Sequence, residues 1–510
     1  MTRYILAHDL GTTGNKATLY DGDGAFIGST FFAYNTQYAH PGWAEQNAAD
    51  WWEAVCTTTH DLLRMTGISP AAVACITFSG QMMGTVPLDA NARPLRNAII
   101  WADTRSGAQA AALGEKISKD DIYRITGHRL SASYALHKIQ WIREHQPDIY
   151  ASAHAFMHAK DAIIARLTGQ FITEPSDASG MNLYDLARGD WSADILRASG
   201  IDADKLPRIV RSIDVVGEVL RDVADEIGLP AGTPVVAGGG DGSCAAVGAG
   251  SVAENIMYGY VGSSSWIATT TKAPILDPEQ RTFTFGHVMP GYFMPTGTMQ
   301  AAGASYQWMR DQLAPLEKQA AASLGVSAYD LMNAVAAGSK AGSRGLLYLP
   351  YLLGERSPRW NPDARAAFIG LTIRHTRADM LHAAMEGVAF NLRVIIDAFA
   401  RQGASASAIR MIGGGVSGRF WAQIMASVFG RSILRLQKLE EATSMGAAVV
   451  GGVGVGLFSD FSIAARMNAV RDEILPDGAS AGVYDDLYAA FNLAYDQLVP
   501  VFELLAKAER

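Results

Sequence analysis

The sequence predicts an α/β protein built from two related halves that meet near residue 250. Three observations lead to this prediction. The 510 residues are 49% hydrophobic and 18% charged, a composition that can fill large buried cores. The chain opens with two strands joined by a turn of glycine and threonine, 10–14. The same strand–turn–strand pattern begins again at residue 256, which indicates an internal repeat.

The first half begins with three strands in a row. A polar glycine turn follows the first strand, and the segment 21–24, Asp-Gly-Asp-Gly, is a hairpin signal after the second. Apolar residues at helical spacing predict a helix over 50–65. The strands expected in this half are 4–9, 15–20, 25–32, 73–78 and 233–237, and small residues favour a closely packed helix over 243–250.

The second half contains a long amphipathic helix. Thr376 and Asp379 form a start that resembles a capping box. One face of this helix carries only apolar residues, namely Leu381, Ala384, Val388, Leu392, Ile395 and Phe399. A strand over 409–412, a glycine turn and a helix over 417–429 follow, an arrangement that presents backbone N–H groups to a phosphate.

Several functional classes are excluded by composition and by missing motifs. The net charge of −8 argues against binding to nucleic acid or to an anionic membrane. No apolar stretch reaches the ~20 residues that span a bilayer, and His8 and Asp9 argue against a secretory signal, so we expect a cytoplasmic protein. There is no P-loop and no G-x-S-x-G motif. His154 and His158 have the spacing of a metal pair, but the missing glutamate favours a structural role.

Four glycine-rich turns point to phosphate chemistry when they are taken together. They occupy 9–14, 238–241, 262–265 and 413–415. Phosphoryl transfer requires backbone N–H donors around phosphates, a carboxylate that helps to place Mg²⁺ and a base for the attacking hydroxyl. Asp9 and Asp241 are the candidate carboxylates, because each lies where a strand meets a glycine turn. Capping of a neighbouring turn or helix is the alternative role for either residue.

The order of the motifs resembles that of the FGGY carbohydrate kinases, a family of the actin-like ATPase superfamily. The resemblance covers nearly the whole chain. It rests on the segments 8–16 (HDLGTTGNK), 101–105 (WADTR), 167–169 (LTG), 173–180 (TEPSDASG), 239–241 (GGD), 262–263 (GS), 303–308 (GASYQW), 354–358 (GERSP), 370–386 and 413–418 (GGGVSG). It implies two actin-like (ribonuclease H-like) domains, each a mixed five-stranded sheet flanked by helices, with a cleft between them.

The resemblance also implies that the two domains bind different substrates. Domain 1–250 is expected to bind the sugar and to supply the catalytic base, and domain 251–510 is expected to bind the nucleotide. The cofactors implied are ATP and Mg²⁺. Homodimers are common in that family, which allows a homodimer here.

Carried over by position, the resemblance assigns a role to each matching residue. Asp241 is implied as the general base, and Asp9 as the second catalytic carboxylate, which orients Mg²⁺ through water. The residues implied for the phosphates and the rest of the nucleotide are Thr12, Thr13, Gly14, Lys16, Ser263, Gly303, Gln307, Gly414 and Gly418. The residues implied for the sugar are Gln81, Met82 and Asp103.

The segment 79–82 resembles the xylulose kinase branch of the family, but two positions depart from it. Met83 stands where that branch has histidine, and Gly242 stands where it has asparagine. A sugar hydrogen bond should therefore be missing, unless Tyr134 or His137 replaces it. We expect a ketopentose such as xylulose as the acceptor. The open alternatives are a different sugar or polyol, and an actin-like ATPase or sugar-sensing protein without sugar kinase activity.

Overall fold

The computed structural model describes residues 3–508, which form two seven-stranded mixed sheets flanked by helices. The strands of the first sheet are β1 (Tyr4–Leu10), β2 (Gly14–Asp21), β3 (Phe26–Ala33), β4 (Val73–Gly80), β5 (Val215–Glu218), β6 (Pro234–Val236) and β7 (Gly239–Gly240). Those of the second are β8 (Met257–Val261), β9 (Ser265–Thr269), β10 (Phe283–Gly286), β11 (Phe293–Met299), β12 (Ala408–Ile412), β13 (Ser432–Leu436) and β14 (Val470–Ile474). The predicted α/β architecture of two halves is confirmed.

The two sheets share one strand pattern, as the internal repeat predicts. In the first, β1 pairs antiparallel with β2 and parallel with β4, and β3 extends the antiparallel side. In the second, β8 pairs antiparallel with β9 and parallel with β12, and β11 extends the antiparallel side. The turns 11–13 and 262–264 therefore occupy corresponding positions in the two halves.

Each sheet has seven strands where five were expected. In the first sheet, β6 and β7 are two parts of one segment beside β4, and Gly238 interrupts it with a positive φ of 70°. Strand β5 adds an antiparallel edge to β6. In the second sheet, β10 and β14 are added at the two opposite edges. The five-stranded core that was predicted is thus present in each half, and the extra strands lie outside it.

Helices cover the sheets and the connections between them. In the first half they are α1 (Ala48–Thr66), α2 (Gly107–Gly114), α3 (Lys119–Thr126), α4 (Ala135–His145), α5 (Pro147–Ser152), α6 (Ala159–Thr168), α7 (Pro175–Ser179), α8 (Ala193–Ser199), α9 (Arg221–Ile227) and α10 (Asp241–Gly248). In the second they are α11 (Gly303–Leu313), α12 (Pro315–Leu324), α13 (Ala328–Ala336), α14 (Arg377–Arg401), α15 (Arg419–Phe429), α16 (Ala442–Gly454), α17 (Ile463–Met467) and α18 (Ala481–Ala508).

Short ribbons complete the secondary structure. They pair Glu45–Gln46 with Ala98–Ile99, Val86–Leu88 with Ala155–Met157, Ile172–Thr173 with Arg208–Ile209, Tyr184–Asp185 with Asp190–Trp191, and Leu347–Leu349 with Ala367–Ile369. The helix expected over 417–429 begins at Arg419, after a single 3₁₀ turn over Gly414–Val416. Helix α14 begins with the capping box of Thr376 and Asp379, and its predicted apolar face is buried.

Two helices join the halves through glycine contacts. A Cβ atom at Gly248 of α10 would lie 1.8 Å from the carbonyl oxygen of Ala442, and one at Gly446 of α16 would lie 1.8 Å from that of Cys244. Only glycine permits this close approach. Helix α16 of the second half also packs on the first sheet, in a cluster that includes Ile5 and Val450. Among residues 3–508, no helix is both long and apolar enough to cross a membrane.

Candidate active site

The register of the first sheet brings Asp9 and Asp241 to the same edge. Asp9 on β1 pairs with Ser79 on β4, and Ser79 pairs in turn with Gly239 on β7. Adjacent strands lie about 4.8 Å apart, so Asp9 and Gly239 are about 10 Å apart across the sheet. Asp241 follows two residues later, as the first residue of α10.

The surroundings of Asp241 bring the pKa of its carboxyl group close to neutral pH. Burial, together with the nearby charge of Asp9, raises its pKa to about 7, although a hydrogen bond from the Gly242 N–H to Oδ1 at 2.7 Å acts in the opposite direction. The turn before it depends on Gly238, where a Cβ atom would lie 1.9 Å from the Phe78 carbonyl oxygen. A carboxyl group with this pKa is suited to accept a proton from a hydroxyl.

Asp9 has a free acceptor atom. Burial raises its pKa to about 6, and Ser79 and Lys16 limit the increase. Its Oδ1 is buried without a hydrogen-bond partner among residues 3–508. A buried carboxylate oxygen of this kind needs a donor or a cation. The residue therefore fits a hydrated divalent ion, whose ligands are oxygen atoms and water.

A central cavity of about 220 Å³ separates the two halves. The first half contributes Met82, Tyr134 and Asp241 to its wall, and the second contributes Trp266 and Arg356. The rest of the wall is largely aromatic or aliphatic, from Met83, Trp101, Tyr258, Phe283, Phe285, Met294 and Trp360, with hydroxyl groups from serine and threonine between them. A small polar molecule held here would touch the Asp241 carboxyl group on one side.

A second, glycine-lined cavity of about 420 Å³ lies wholly in the second half. It contains all five residues that were predicted there, namely Ser263, Gly303, Gln307, Gly414 and Gly418. Gly303, the first residue of α11, packs against the turn 262–264. A Cβ atom at Gly303 would lie 2.3 Å from the Gly262 carbonyl oxygen. At Gly414 a Cβ atom would meet no protein atom within 4 Å, so this backbone faces open space.

The loop predicted to hold phosphates lies beside these cavities but lines neither of them. Thr12 accepts a hydrogen bond of 2.9 Å from Trp101 Nε1, and Trp101 lines the central cavity. Thr13 O accepts one from Tyr34 N. A Cβ atom at Gly14 would lie 2.5 Å from the Phe32 carbonyl oxygen. Lys16 reaches toward the second half, where its Nζ lies 3.8 Å from Glu441 Oε1.

Of the three residues predicted to face the sugar, only Met82 lines the central cavity. Gln81 is buried behind it and donates to Gln46 Oε1 at 2.8 Å. Asp103 is fully buried, and its two carboxylate oxygens accept hydrogen bonds from Nε of Arg105 at 3.0 Å and from Nη2 at 2.6 Å. The side chains of Gln81 and Asp103 therefore bond to other residues of the first half, and direct sugar contact by them stays a prediction.

The structure distinguishes between the two residues that were expected to replace the missing histidine. Tyr134 lines the central cavity, and its hydroxyl lies 2.8 Å from His128 Nδ1. His137 is fully buried away from that cavity, where its ring nitrogens contact Gln140 and Asn182. Of the two residues, only Tyr134 shares the wall of the central cavity with Met83.

Sequence reasoning did not single out the cationic side of the central cavity. Arg356 lines it, and the Arg356 guanidinium forms no ion pair with any of residues 3–508. Burial lowers its pKa. Lys138 supports the opposite wall, because its Nζ donates to the carbonyl oxygens of Met83 and Ser133. The segment 354–358, which contains Arg356, is one of those that resemble the family. That the Arg356 side chain lines the cavity depends on tertiary contacts, which the sequence does not display.

A buried cluster beside the site is the only group of metal-ligand type found among residues 3–508. It contains His158, Asp161 and Asp177, whose ligand atoms lie within 4.8 Å of one another. Lys160 Nζ already lies 2.5 Å from Asp161 Oδ1 and 3.1 Å from Asp177 Oδ2, so an ammonium group supplies the positive charge there. His154 is exposed and packs edge-to-face against Phe171, so it does not pair with His158.

Comparison with known proteins identifies the family. Residues 4–248 match the N-terminal domain of the FGGY family of carbohydrate kinases, and residues 257–455 match its C-terminal domain. A xylulose kinase of Staphylococcus epidermidis is 33% identical over 97% of this chain and 96% of its own length. A gluconokinase of Bacillus subtilis is 30% identical over 96% of this chain and 95% of its own length.

The solved structures agree with these sequence matches. The crystal structure of a ligand-bound xylulose kinase from Lactobacillus acidophilus has a TM-score of 0.91 and 25% identity, and the match covers 99% of this chain and all of the other. This likeness confirms the predicted two-domain α/β fold. The chain belongs to the FGGY family of carbohydrate kinases and is a sugar kinase.

Proposed function

We propose that this kinase transfers the γ-phosphoryl group of ATP to a sugar hydroxyl that Asp241 deprotonates. One observation carries this assignment: Asp241 forms part of the wall of the central cavity, with a pKa raised to about 7. A general base works best when its pKa lies near the working pH, because it is then free to accept a proton and basic enough to hold it. The hydroxyl loses its proton to the carboxylate while its oxygen attacks the phosphorus, and ADP leaves.

The glycine-lined cavity is proposed as the site of the adenosine part of ATP. Gly414 and Gly418 offer a backbone surface without side chains, and Gln307 offers a polar edge. The groups proposed to hold the phosphates are then Ser263, Thr12, Thr13, Gly14 and Lys16. This assignment gives nucleotide binding to domain 251–510, and sugar binding with the catalytic base to domain 1–250.

Asp9 is proposed as the carboxylate that holds Mg²⁺ through water. Family members use ATP with a divalent metal, and the free Oδ1 of Asp9 supports this position. When bound, Mg²⁺ neutralises part of the charge on the phosphates of ATP. Asp9 itself has a second effect, because its negative charge raises the pKa of the nearby Asp241.

A ketopentose such as xylulose is the first candidate for the acceptor. The support comes from Met82 on the cavity wall and from the xylulose kinases among the relatives. A sugar acid such as gluconate is the second candidate, because the unpaired Arg356 guanidinium in the same wall would bind a carboxylate. The cytoplasmic location and the homodimer remain predictions.

An assay of ADP release across ketoses, aldoses, polyols and sugar acids tests the function. We expect turnover with Mg²⁺ and ATP to depend on the acceptor and to be highest with a ketopentose. Higher turnover with a sugar acid would select the second candidate. ATP hydrolysis that no acceptor stimulates would contradict the proposal and favour an ATPase without sugar kinase activity.

A further inference from the structure

A buried serine holds the backbone immediately before Asp241. The hydroxyl of Ser176, on α7, accepts a hydrogen bond of 2.8 Å from the N–H of Gly240. Gly240 is the last residue of β7, and Asp241 follows it directly. Ser176 is fully buried, so water does not compete for this N–H group. The position of the Asp241 backbone is therefore tied to one side chain in another part of the chain.

The Ser176 hydroxyl is itself held in one orientation. It donates to Glu174 Oε1 at 2.6 Å, which directs its acceptor electrons toward Gly240. Glu174 is fixed in turn by the Ser212 hydroxyl at 2.6 Å from Oε2 and by Lys160 Nζ at 3.6 Å from Oε1. All four side chains are almost completely buried. A hydrogen-bond chain of this kind, in a dry interior, restricts motion more than a single bond on the surface does.

The packing around β7 leaves its backbone little room to move. A Cβ atom at Gly239 would lie 2.1 Å from Val288 Cγ1, and one at Gly240 would lie 2.6 Å from the sulfur atom of Met82. Met82 lines the central cavity. A shift of β7 would therefore displace both the Asp241 carboxyl group and the wall against which the acceptor lies.

We propose that Ser176 is a positioning residue for Asp241, which it acts on through the Gly240 N–H with Glu174 as its support. The inference rests on the proposed role of Asp241 as general base. Transfer of a proton from the acceptor hydroxyl requires hydrogen-bond distance between that oxygen and the carboxylate. A hydroxyl group that holds the preceding peptide in place maintains this distance without touching the substrate.

Steady-state kinetics of Ser176→Ala test the proposal. We expect kcat to fall roughly 10- to 100-fold, because displacements of about 1 Å in a reacting group have effects of this size. The KM for ATP should stay within about twofold, since Ser176 does not line the glycine-lined cavity. Ser176→Thr keeps the hydroxyl and should restore most of the lost kcat. Ser212→Ala, which removes one support of Glu174, should lower kcat less than Ser176→Ala does.

Ser427→Ala is the matched control. Ser427 is also a buried helical serine that lines neither cavity, and its hydroxyl accepts a backbone hydrogen bond of 3.1 Å from Asp477. The Ser427→Ala substitution should lower the melting temperature but leave kcat unchanged. Unchanged kcat in Ser176→Ala, or an equal loss in Ser427→Ala, would overturn the positioning role. If Ser176→Ala does not fold, unchanged kcat in Ser212→Ala would overturn it. An inactive wild type would instead contradict the proposed function itself.

Discussion

The central cavity and the glycine-lined cavity differ in what forms their walls. Backbone at Gly303, Gly414 and Gly418 forms part of the wall of the glycine-lined cavity, beside side chains such as Gln307, whereas the central cavity is lined mostly by side chains such as Met82 and Arg356. Five of the residues that line the glycine-lined cavity were named from the sequence, whereas only Met82 and Asp241, of those assigned to the sugar or to catalysis, line the central one, and the roles of all of them stay predictions. A cavity wall that is formed by backbone can be recognised in the sequence, because it requires glycine at fixed positions.

The central cavity is also distinguished by the pKa shifts of the carboxyl groups around it. Two carboxyl groups and an unpaired guanidinium lie in or beside the central cavity, and the pKa values of Asp9 and Asp241 are raised to about 6 and about 7. Shifts of this kind are typical of groups that transfer protons or charge. We therefore expect substitutions in the central cavity to change kcat, and substitutions in the glycine-lined cavity to change the KM for ATP.

The largest expected effect is that of Asp241→Asn. An amide cannot accept the hydroxyl proton, so kcat should fall about 10²- to 10⁴-fold, the range for loss of a general base. Calorimetric titration with ATP should show nearly unchanged affinity, because Asp241 does not line the glycine-lined cavity. Full activity of this variant would rule out Asp241 as the base.

Gly414→Ala should have a smaller effect, and on the KM for ATP rather than on kcat. The added methyl group meets no protein atom, so the fold should tolerate it, but it enters the space proposed for ATP. We expect the KM for ATP to rise about 10-fold, which corresponds to ~1.4 kcal/mol, with little change in kcat. Gly478→Ala, where a Cβ atom also meets nothing within 4 Å, is the control and should leave both constants unchanged. A fall in kcat alone would remove the distinction between the cavities.

The sequence predicted more of the fold than of the central cavity, for a physical reason. Strand and helix signals are local: the capping box of Thr376 and the hairpin glycines lie within a few residues of the elements that they define. The inner wall of the central cavity depends on contacts between distant segments. Asp103 has the residue type that a sugar site needs, yet it pairs with Arg105.

The extra edge strand β5 was missed for a similar reason. Strand β5 has only four residues, and none of them is buried, so no apolar alternation marks it. Arg356 was quoted within a family segment but was given no role, since its lack of an ion pair is a property of the folded chain. The pairing of Ser176 with Gly240, across 64 residues of sequence, belongs to the same class of long-range contact.

The smallest expected effect is on stability, and it separates the charge of the central cavity from its catalytic role. The folded state holds the proton of Asp241 more tightly than the unfolded state does, because its pKa of about 7 lies above the ordinary 3.8. The stability that this proton contributes is complete below pH ~4 and is lost as the pH rises through ~7. The side chain in Asp241→Asn does not ionise, so this variant should not lose stability in this way as the pH rises. Its melting temperature relative to wild type should therefore be higher at pH 8 than at pH 5, by about 2 °C for each ~1 kcal/mol in a domain of this size. Equal differences at the two pH values, measured by calorimetry without ligands, would show that Asp241 ionises as freely as an exposed aspartate, and the central cavity would then lose the electrostatic feature that distinguishes it from the glycine-lined one.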